Sequence, residues 1–520
     1  MNYYVLPLFA PVLVLVAGLA GFLSAGQRPR RLLWLAECAT IAALLVALAT
    51  LALLLVKGPG SGLLVIANQP VLSARVDAVS VTMLLLVSFI GWVVMRYASN
   101  YLDGEPRQGR FTAWLCLTLT AVLTLVTAGN LVQIVAAWIA TSLFLHPLLL
   151  FYPERVAAQR AARKKFVTAR ACDAAMLGAA LLLYMNYGTT DLAQILGAAR
   201  HGAGNAYTSG ADALLALAAM LKSAQFPTHG WLTEVVETPT PVSALLHAGV
   251  INAGGFLLIR FADVIVLSPI ALDGLVMIGG FTALFGGLVM LTQPAVKTSL
   301  AWSTVGQMGF MVLECGLALF PLALLHIVAH SLYKAHSFLV SGAAVETIAA
   351  NSRLGLVAIP DAVAVARAFL LALTIYVAVG FVFGFFDHKS PQAIALGAIL
   401  IFGVAYLIAQ GLADSAPRAL TQRTSLYSVA TSISYFALQS GATYMTRDAL
   451  PPVPAPGPLE WALLVLAVFS FALVAVVQAM FPLWANHPAA AGLRVHLSNG
   501  LYANAILDRL LGGWSLRASG

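Results

Sequence analysis

Long apolar segments alternate with short polar connections along nearly the whole chain. Several of these segments exceed the roughly 18 apolar residues that a membrane-spanning helix needs. We predict about 14 to 15 transmembrane helices on this criterion. Their approximate bounds are 3–24, 32–56, 76–95, 111–128, 130–151, 166–187, 212–228, 239–260, 270–291, 297–319, 321–345, 361–386, 391–411, 424–445 and 459–484. The pattern therefore predicts an all-α, polytopic membrane domain over residues 1–484. A cytoplasmic tail with a short amphipathic helix follows over residues 485–520.

Lys222 interrupts an apolar segment that begins near Ala213. A lysine at the centre of a membrane helix costs about 2.5 to 3.5 kcal/mol. Pro227 follows and cannot donate a backbone hydrogen bond to the carbonyl of Ser223, so we predict a broken helix near Lys222. A short half-helix is expected over residues 229–238. Irregular backbone within a membrane lines protein or a water-filled cavity, which indicates an ion path. The alternative is a lysine that snorkels from the end of a span.

Three ionisable residues follow one another on a second apolar segment. His326, His330 and Lys334 lie at positions i, i+4 and i+8, so they share one stripe of a helix. Histidine titrates near neutral pH and suits proton transfer, whereas metal binding by the two histidines is the alternative. His247 lies on another apolar segment, where a structural core histidine is the alternative.

The composition supports a membrane protein and argues against a nucleic-acid-binding one. The chain is 61% hydrophobic and 9% charged, whereas soluble domains carry about 25% charged residues. The net charge is +8, but the basic residues lie mainly between apolar segments, as topology signals do. Their asymmetry predicts the N-terminus outside and the C-terminus in the cytoplasm. The four cysteines form no CxxC motif, so an iron–sulfur or zinc site is not expected in this chain.

The stretches KSAQFPTHGWL and TPTPVSALLHAG resemble the signature of the antiporter-like membrane subunits of respiratory complex I and of Mrp-type cation/proton antiporters. RVDAVSVTMLLL and KKFVTARACDAA are similar to the third and sixth spans of that family. The resemblance covers about residues 75–345 and returns in the tail. It implies a proton path through five residues, namely Lys222, His247, His326, His330 and Lys334.

Acidic residues are expected to accompany this path. Asp77, Glu234 and Glu237 are the candidates for the carboxylate that pairs with Lys222. For Asp77, an interfacial pair with Arg75 is the alternative. A local ion pair suffices to explain a further two residues, Arg170 and Asp173, which lie at i, i+3 on one helix. Ordinary interfacial charges explain three residues near span ends, namely Lys297, Glu314 and Glu346.

Two departures from the family pattern restrict the resemblance to one branch of the family. The family carries Trp-Glu on its fifth span, and that glutamate partners the lysine of the broken helix; here the pair is Trp138-Ile139, with His146 two turns on. The second departure is the missing Gly-Leu-Pro-Pro-type break with its exit lysine in the second half. Together with the tail, these features resemble the DabB branch, the membrane subunits of the DAB inorganic-carbon accumulation complexes. A proton pump of the complex I type or an Mrp-type antiporter remains the alternative.

The resemblance implies an ion-translocating subunit of a bacterial inner membrane that is not itself an enzyme. It would conduct a cation, either H⁺ or Na⁺, and so energise conversion of carbon dioxide to bicarbonate by a soluble, carbonic-anhydrase-like (DabA-like) partner on the cytoplasmic face. The chain itself would need no cofactor, and zinc is expected in the partner. The tail helix could lie on lipid or dock the partner. Five residues are candidates for partner docking, namely Arg163, Lys164, Lys165, Asn499 and Tyr502.

Overall fold

The computed structural model describes residues 3–23, 28–66, 69–235, 238–341, 362–383, 389–411, 418–480 and 487–510. The first elements are a 3₁₀-helix at Tyr3–Leu8 and helices α1 (Phe9–Leu23), α2 (Arg30–Lys57), α3 (Ala78–Tyr101), α4 (Gln108–Thr127), α5 (Leu131–Leu149), α6 (Val156–Tyr187), α7 (Leu192–Arg200), α8 (Ala206–Lys222) and α9 (Gly230–Thr233). The next are α10 (Thr240–Ala248), a 3₁₀ turn at Val250–Asn252, α11 (Ala253–Arg260), α12 (Ala262–Ile265), α13 (Pro269–Met290), α14 (Val296–Gly316) and α15 (Phe320–Ser341). The last are α16 (Ala362–Val382), α17 (Pro391–Gly411), α18 (Arg418–Thr446), α19 (Pro458–Ala479), α20 (Pro488–Ser498), a 3₁₀ turn at Gly500–Tyr502 and α21 (Ala503–Leu510).

Ten helical segments in these ranges are long and apolar enough to cross a membrane. Four other predicted spans coincide with helices that are shorter or more polar, namely α8, α14, α15 and α18, and a fifth coincides with the apolar helix α17. The prediction of a helical, multi-pass membrane protein is confirmed. The division between a membrane domain and a tail at residue 484 stays a prediction.

One β-hairpin joins α2 to α3, and the hydrophobic pattern does not predict it. Strands β1 (Gly60–Ile66) and β2 (Gln69–Val76) pair antiparallel. The 3₁₀-helix at the N-terminus packs on this hairpin, because a Cβ atom on Gly62 would lie 2.5 Å from the carbonyl carbon of Tyr4. A larger residue at position 62 would therefore displace the N-terminal segment.

Glycines allow α13 and α14 to pack with their backbones in contact. A Cβ atom on Gly286 would lie 2.6 Å from the backbone nitrogen of Gly306, and one on Gly279 would lie 2.5 Å from that of Leu313. Small residues at such an interface let membrane helices approach closely. The most buried candidate spans are α4 and the segment Thr240–Arg260. The polar residues that Thr240–Arg260 carries therefore lie in the protein interior.

Candidate functional site

Lys222 is the last residue of α8, and its side chain is buried, with 6% of the residue exposed. Its Nζ donates a hydrogen bond to Ser142 Oγ at 3.0 Å and lies 4.5 Å from the centre of the Trp138 ring. Ala224 has a φ of +50°, a left-handed conformation typical of helix ends. The burial argues against a snorkelling lysine. That α8 and the following segments form one interrupted membrane helix stays a prediction.

A second lysine shares these surroundings. Trp138 and Ser142 lie on one face of α5 because they are four residues apart. The carbonyl oxygen of Ser142 accepts a hydrogen bond from Lys165 Nζ at 2.7 Å, and Lys165 is only 5% exposed. Lys165 and Lys222 line one small cavity together with Cys172. The site therefore holds two buried amines next to one serine.

Asp77 is bonded to arginines and not to Lys222. Its Oδ1 caps α3 by accepting from the Ser80 backbone N–H at 2.8 Å, and its Oδ2 pairs with Arg260 at 2.6 Å. The expected pair with Arg75 is also present, at 2.6 Å. These contacts correct the prediction that Asp77 partners Lys222, because both carboxylate oxygens are already occupied.

Glu234 also pairs with a residue other than Lys222. Its Oε1 accepts from Lys164 Nζ at 2.7 Å. Glu237 lies outside the described residues. In the part of the chain that the structure describes, no ion pair joins Lys222 to a carboxylate, so the partner that the family pattern implies is not supplied by Asp77 or Glu234.

The segment Thr240–Arg260 is interrupted at its middle, which the sequence analysis missed. The helical conformation breaks at Gly249, and a 3₁₀ turn follows before α11 begins. An interruption frees backbone carbonyls that then need other donors. Side chains satisfy three of them: His330 Nε2 bonds the carbonyl of His247 at 3.2 Å, Asn252 Nδ2 that of Ala248 at 2.9 Å, and Ser223 Oγ that of Ile251 at 3.3 Å. Gly249 and Asn252 are the sequence signal that could have revealed the break.

The predicted histidine stripe faces the interior and carries its own acid. His326 Nδ1 donates to Glu314 Oε2 at 3.0 Å. Glu314 is 5% exposed, so it is not the ordinary interfacial charge that its position near a span end indicates. His330 follows, with its ring centre 6.1 Å from that of His326, and it contacts the backbone of His247. The three histidines therefore form a sequence of neighbours that starts at a buried carboxylate.

Lys334 joins the same group through α14. Its Nζ donates to the carbonyl of Leu300 at 3.1 Å, and the hydroxyl of Thr304 donates to the same carbonyl at 3.0 Å. The same Thr304 oxygen is hydrogen-bonded to His247 Nδ1 at 3.1 Å. Lys334 and His247 thus meet at one polar junction inside the protein.

Metal binding by the histidine stripe finds no support in these contacts. His326 and His330 direct nitrogens towards different partners, a carboxylate and a backbone carbonyl. Within the described ranges, no three His, Cys, Asp or Glu side chains converge as a metal site would require. That the stripe conducts protons stays a prediction.

The C-terminal helix α21 packs back onto the membrane chain through its polar face. Lys164 Nζ lies 2.6 Å from Asp508 Oδ1 and 2.8 Å from Asn504 Oδ1. Arg160 Nη2 donates to the second oxygen of Asp508 at 2.8 Å, and the amide of Asn504 bonds Glu234. We call these five residues the tail cluster. It connects the tail, α6 and the segment that follows Lys222.

Two of the predicted docking residues are not at the surface. Lys164 and Lys165 are 3% and 5% exposed, and their ammonium groups are bonded within the chain. This corrects the prediction that they offer charge to a partner. Arg163, Asn499 and Tyr502 are exposed, and their role in docking stays a prediction.

The family comparison agrees with the motifs. A model described as "NADH:quinone oxidoreductase/Mrp antiporter, TM" matches residues 128–413, which is more than half of the chain. A second, "NADH-Ubiquinone oxidoreductase (complex I), chain 5 N-terminus", matches residues 68–112.

Curated relatives extend this match. The chain is 50% identical over 274 residues to the "Probable inorganic carbon transporter subunit DabB" of Hydrogenovibrio crunogenus, covering 52% of this chain and 53% of the relative. It is 37% identical over 455 residues to the "Probable inorganic carbon transporter subunit DabB2" of Halothiobacillus neapolitanus, covering 84% and 80%. The match thus spans about half of the first relative and most of the second. The chain is also 32% identical over 417 residues to "NADH-quinone oxidoreductase subunit L" of Mycobacterium tuberculosis, covering 77% and 63%.

Two solved structures share the fold. The Mrp complex of Dietzia sp. matches 98% of this chain and 60% of its own at a TM-score of 0.61 and 22% identity. An archaeal membrane-bound sulfane sulfur reductase matches 96% and 98% at a TM-score of 0.57 and 17% identity. The sequence matches, the buried polar residues and the fold all fit the same family. The chain belongs to the antiporter-like family of NADH:quinone oxidoreductase and Mrp antiporter membrane subunits.

Proposed function

We propose that this chain is the proton-conducting membrane subunit of an inorganic-carbon uptake complex. In this complex a soluble, zinc-dependent, carbonic-anhydrase-like subunit on the cytoplasmic face converts carbon dioxide to bicarbonate, and proton flow through the membrane chain drives that conversion in one direction. Family membership supports the cation-conducting role. The printed names of the relatives from Hydrogenovibrio and Halothiobacillus support inorganic carbon as the cargo.

The observation that carries the proposal is the set of ionisable groups buried within the membrane helices. His247, His330 and Lys334 are at most 4% exposed, and each is hydrogen-bonded to a neutral group. Ionisable residues in membrane segments are expensive and mark ion or proton paths. Imidazole can accept a proton on one nitrogen and release it from the other, so neighbouring histidines suit proton transfer.

The tail cluster supports coupling to a cytoplasmic partner. Lys164 of the cluster is adjacent on α6 to Lys165, which reaches inward to Ser142 beside Lys222. A partner that moves α21 would act on α6 through Asp508, and a change near Lys222 would act on the tail by the same contacts. The proposal therefore gives the tail cluster a role in transmitting structural changes between the partner and the Lys222 site, and not only in anchoring the tail.

Purification of the tagged chain from its native membrane in mild detergent tests the proposal. We expect a soluble zinc-containing chain to co-purify, and we expect proteoliposomes with the complex to show proton uptake. Respiratory subunits that oxidise NADH, or a set of Mrp subunits, would instead support the alternative, a pump of the complex I type or a cation/proton antiporter. Replacement of a proton gradient by a sodium gradient in the same vesicles identifies the cation.

A further inference from the structure

Lys165 lies beside Lys222, a lysine for which the family pattern implies a carboxylate partner. Ile139 stands where relatives of the complex I type carry glutamate, and in the structure its side chain is only partly buried. Ser142, one turn further along α5, instead contacts both amines: its hydroxyl accepts from Lys222 at 3.0 Å and its carbonyl from Lys165 at 2.7 Å. Two buried lysines thus meet at one residue that carries no charge.

Few other charges face this pair, and those that do are partly neutralised. On α6, Arg170 pairs with Asp173 at 2.7 Å, which confirms the expected local ion pair. Among the described residues, Asp173 is an acid within electrostatic range of both lysines, and Cys172 lines the same cavity. On α5, His146 lies close enough to Lys165 to be affected by its charge.

Two ammonium groups held this closely in a low-dielectric interior repel each other strongly. The arrangement is favourable when one of the two lysines is protonated and the other is neutral, because the site then carries a single positive charge. A proton released by Lys222 can be taken up by a neutral Lys165 across the small cavity that both amines line, while the Ser142 hydroxyl holds the Lys222 amine. One N–H bond breaks on Lys222, one forms on Lys165, and the total charge is conserved.

We infer that Lys165 is the proton-exchange partner of Lys222, in place of the glutamate that the family pattern implies. The inference rests on the proposed proton-conducting function. It gives α6 a residue that receives the proton. This residue is adjacent in sequence to Lys164, which belongs to the tail cluster. Lys164 and Lys165 then have different roles although they are adjacent: one bonds the tail, and the other exchanges a proton in the interior.

Proton flux in proteoliposomes tests this with two substitutions of the same residue. Lys165→Met removes the amine, and Lys165→Arg keeps a cation and a donor to the Ser142 carbonyl but cannot release a proton. Proton exchange predicts that both variants lose flux by about a hundredfold. A merely structural lysine predicts that Lys165→Arg keeps wild-type flux, and that result would overturn the inference. Lys57→Met, at the exposed end of α2, is the control and should conduct like the wild type.

Ser142→Ala provides an independent test if either lysine variant fails to fold. It removes the hydroxyl that holds the Lys222 amine and leaves the carbonyl that binds Lys165, so flux should fall by about tenfold, the effect of one lost hydrogen bond. Unchanged flux in Ser142→Ala would also overturn the inference. If the wild-type chain itself shows no proton flux, the proposed function fails; if it conducts and Lys165→Arg conducts equally, only the role of Lys165 fails.

Discussion

The Lys222 site and the histidine stripe are both buried and polar, but they differ in how charge is balanced. At the stripe, His326 donates to the buried carboxylate of Glu314. At the other site, Lys222 and Lys165 bond the neutral oxygens of Ser142. The stripe contains an acid and a base in contact, whereas the lysine site contains two bases.

If the two sites conduct protons as we propose, this difference means that each would hold a proton in its own way. A proton that entered the stripe would meet the carboxylate of Glu314 beside His326. A positive charge at the lysine site has no carboxylate in direct contact among the described residues, so the site favours release and transfer. Buried ion pairs elsewhere, such as Asp77 with Arg260, show a third arrangement in which both charges are held permanently.

Replacement of Lys222 is expected to have the largest effect on transport and a small effect on folding. Lys222→Met should abolish proton flux, because it removes the group to which we assign proton exchange. It strands no carboxylate among the described residues, and replacing buried charges by well-packed apolar side chains is often neutral or stabilising. Flux in proteoliposomes and the amount of inserted protein should be measured together. Full carbon-dependent growth with Lys222→Met would contradict the account.

Replacement of Asp77 should show the opposite pattern. Asp77→Asn leaves the buried guanidinium of Arg260 without its carboxylate and weakens the cap of α3, which should cost roughly 3–5 kcal/mol of stability. Thermal unfolding of the purified protein in detergent measures this loss. Flux per folded molecule should remain near that of the wild type. A stable Asp77→Asn variant without flux would indicate that Asp77 takes part in the proton path after all.

The histidine stripe should respond more moderately. His330→Gln keeps a donor to the His247 carbonyl but cannot titrate, so proton flux should fall by about tenfold or more while assembly is retained. His336→Gln is a matched control, because His336 lies on the same helix with its side chain exposed. Equal flux in the two variants would make His330 structural.

The tail cluster allows a smaller, purely steric test. A Cβ atom on Gly230 would lie 1.8 Å from Asn504 Oδ1, so Gly230→Ala should force the Asn504 side chain out of the tail cluster and loosen α21 without removing any charge. Amide protons of Ala503–Leu510 should then exchange faster with solvent, since a released helix opens more readily. Gly197→Ala, where nothing lies within 4 Å, is the control. Unchanged exchange in Gly230→Ala would show that the tail is not held at this position.

Loss of the partner should accompany release of the tail. Deletion of residues 495–520 is expected to leave the membrane chain inserted, because Lys164 and Glu234 can still pair with each other. The soluble subunit that we propose should no longer co-purify. A complex that remains intact after this deletion would place docking elsewhere, for example on the exposed Arg163.

Sequence reasoning predicted the single elements well and the charge partners poorly. Apolar length located the helices, and i, i+4 spacing placed His326 and His330 on one buried face. The hairpin at Gly60–Val76 and helix Leu192–Arg200 were missed, because short elements between long apolar segments carry little periodicity. The partners of Lys222, Glu314 and Asp77 depend on which helices are neighbours in space. Local spacing does not contain that information.

The most direct test of the account is to measure carbon dioxide hydration by the purified complex in proteoliposomes while a proton gradient is imposed. If the membrane chain energises the reaction, hydration should accelerate when protons flow through it, stop when an uncoupler removes the gradient, and be lost in Lys222→Met with the partner still bound. Hydration that continues at the same rate without a gradient, or in Lys222→Met, would contradict the account.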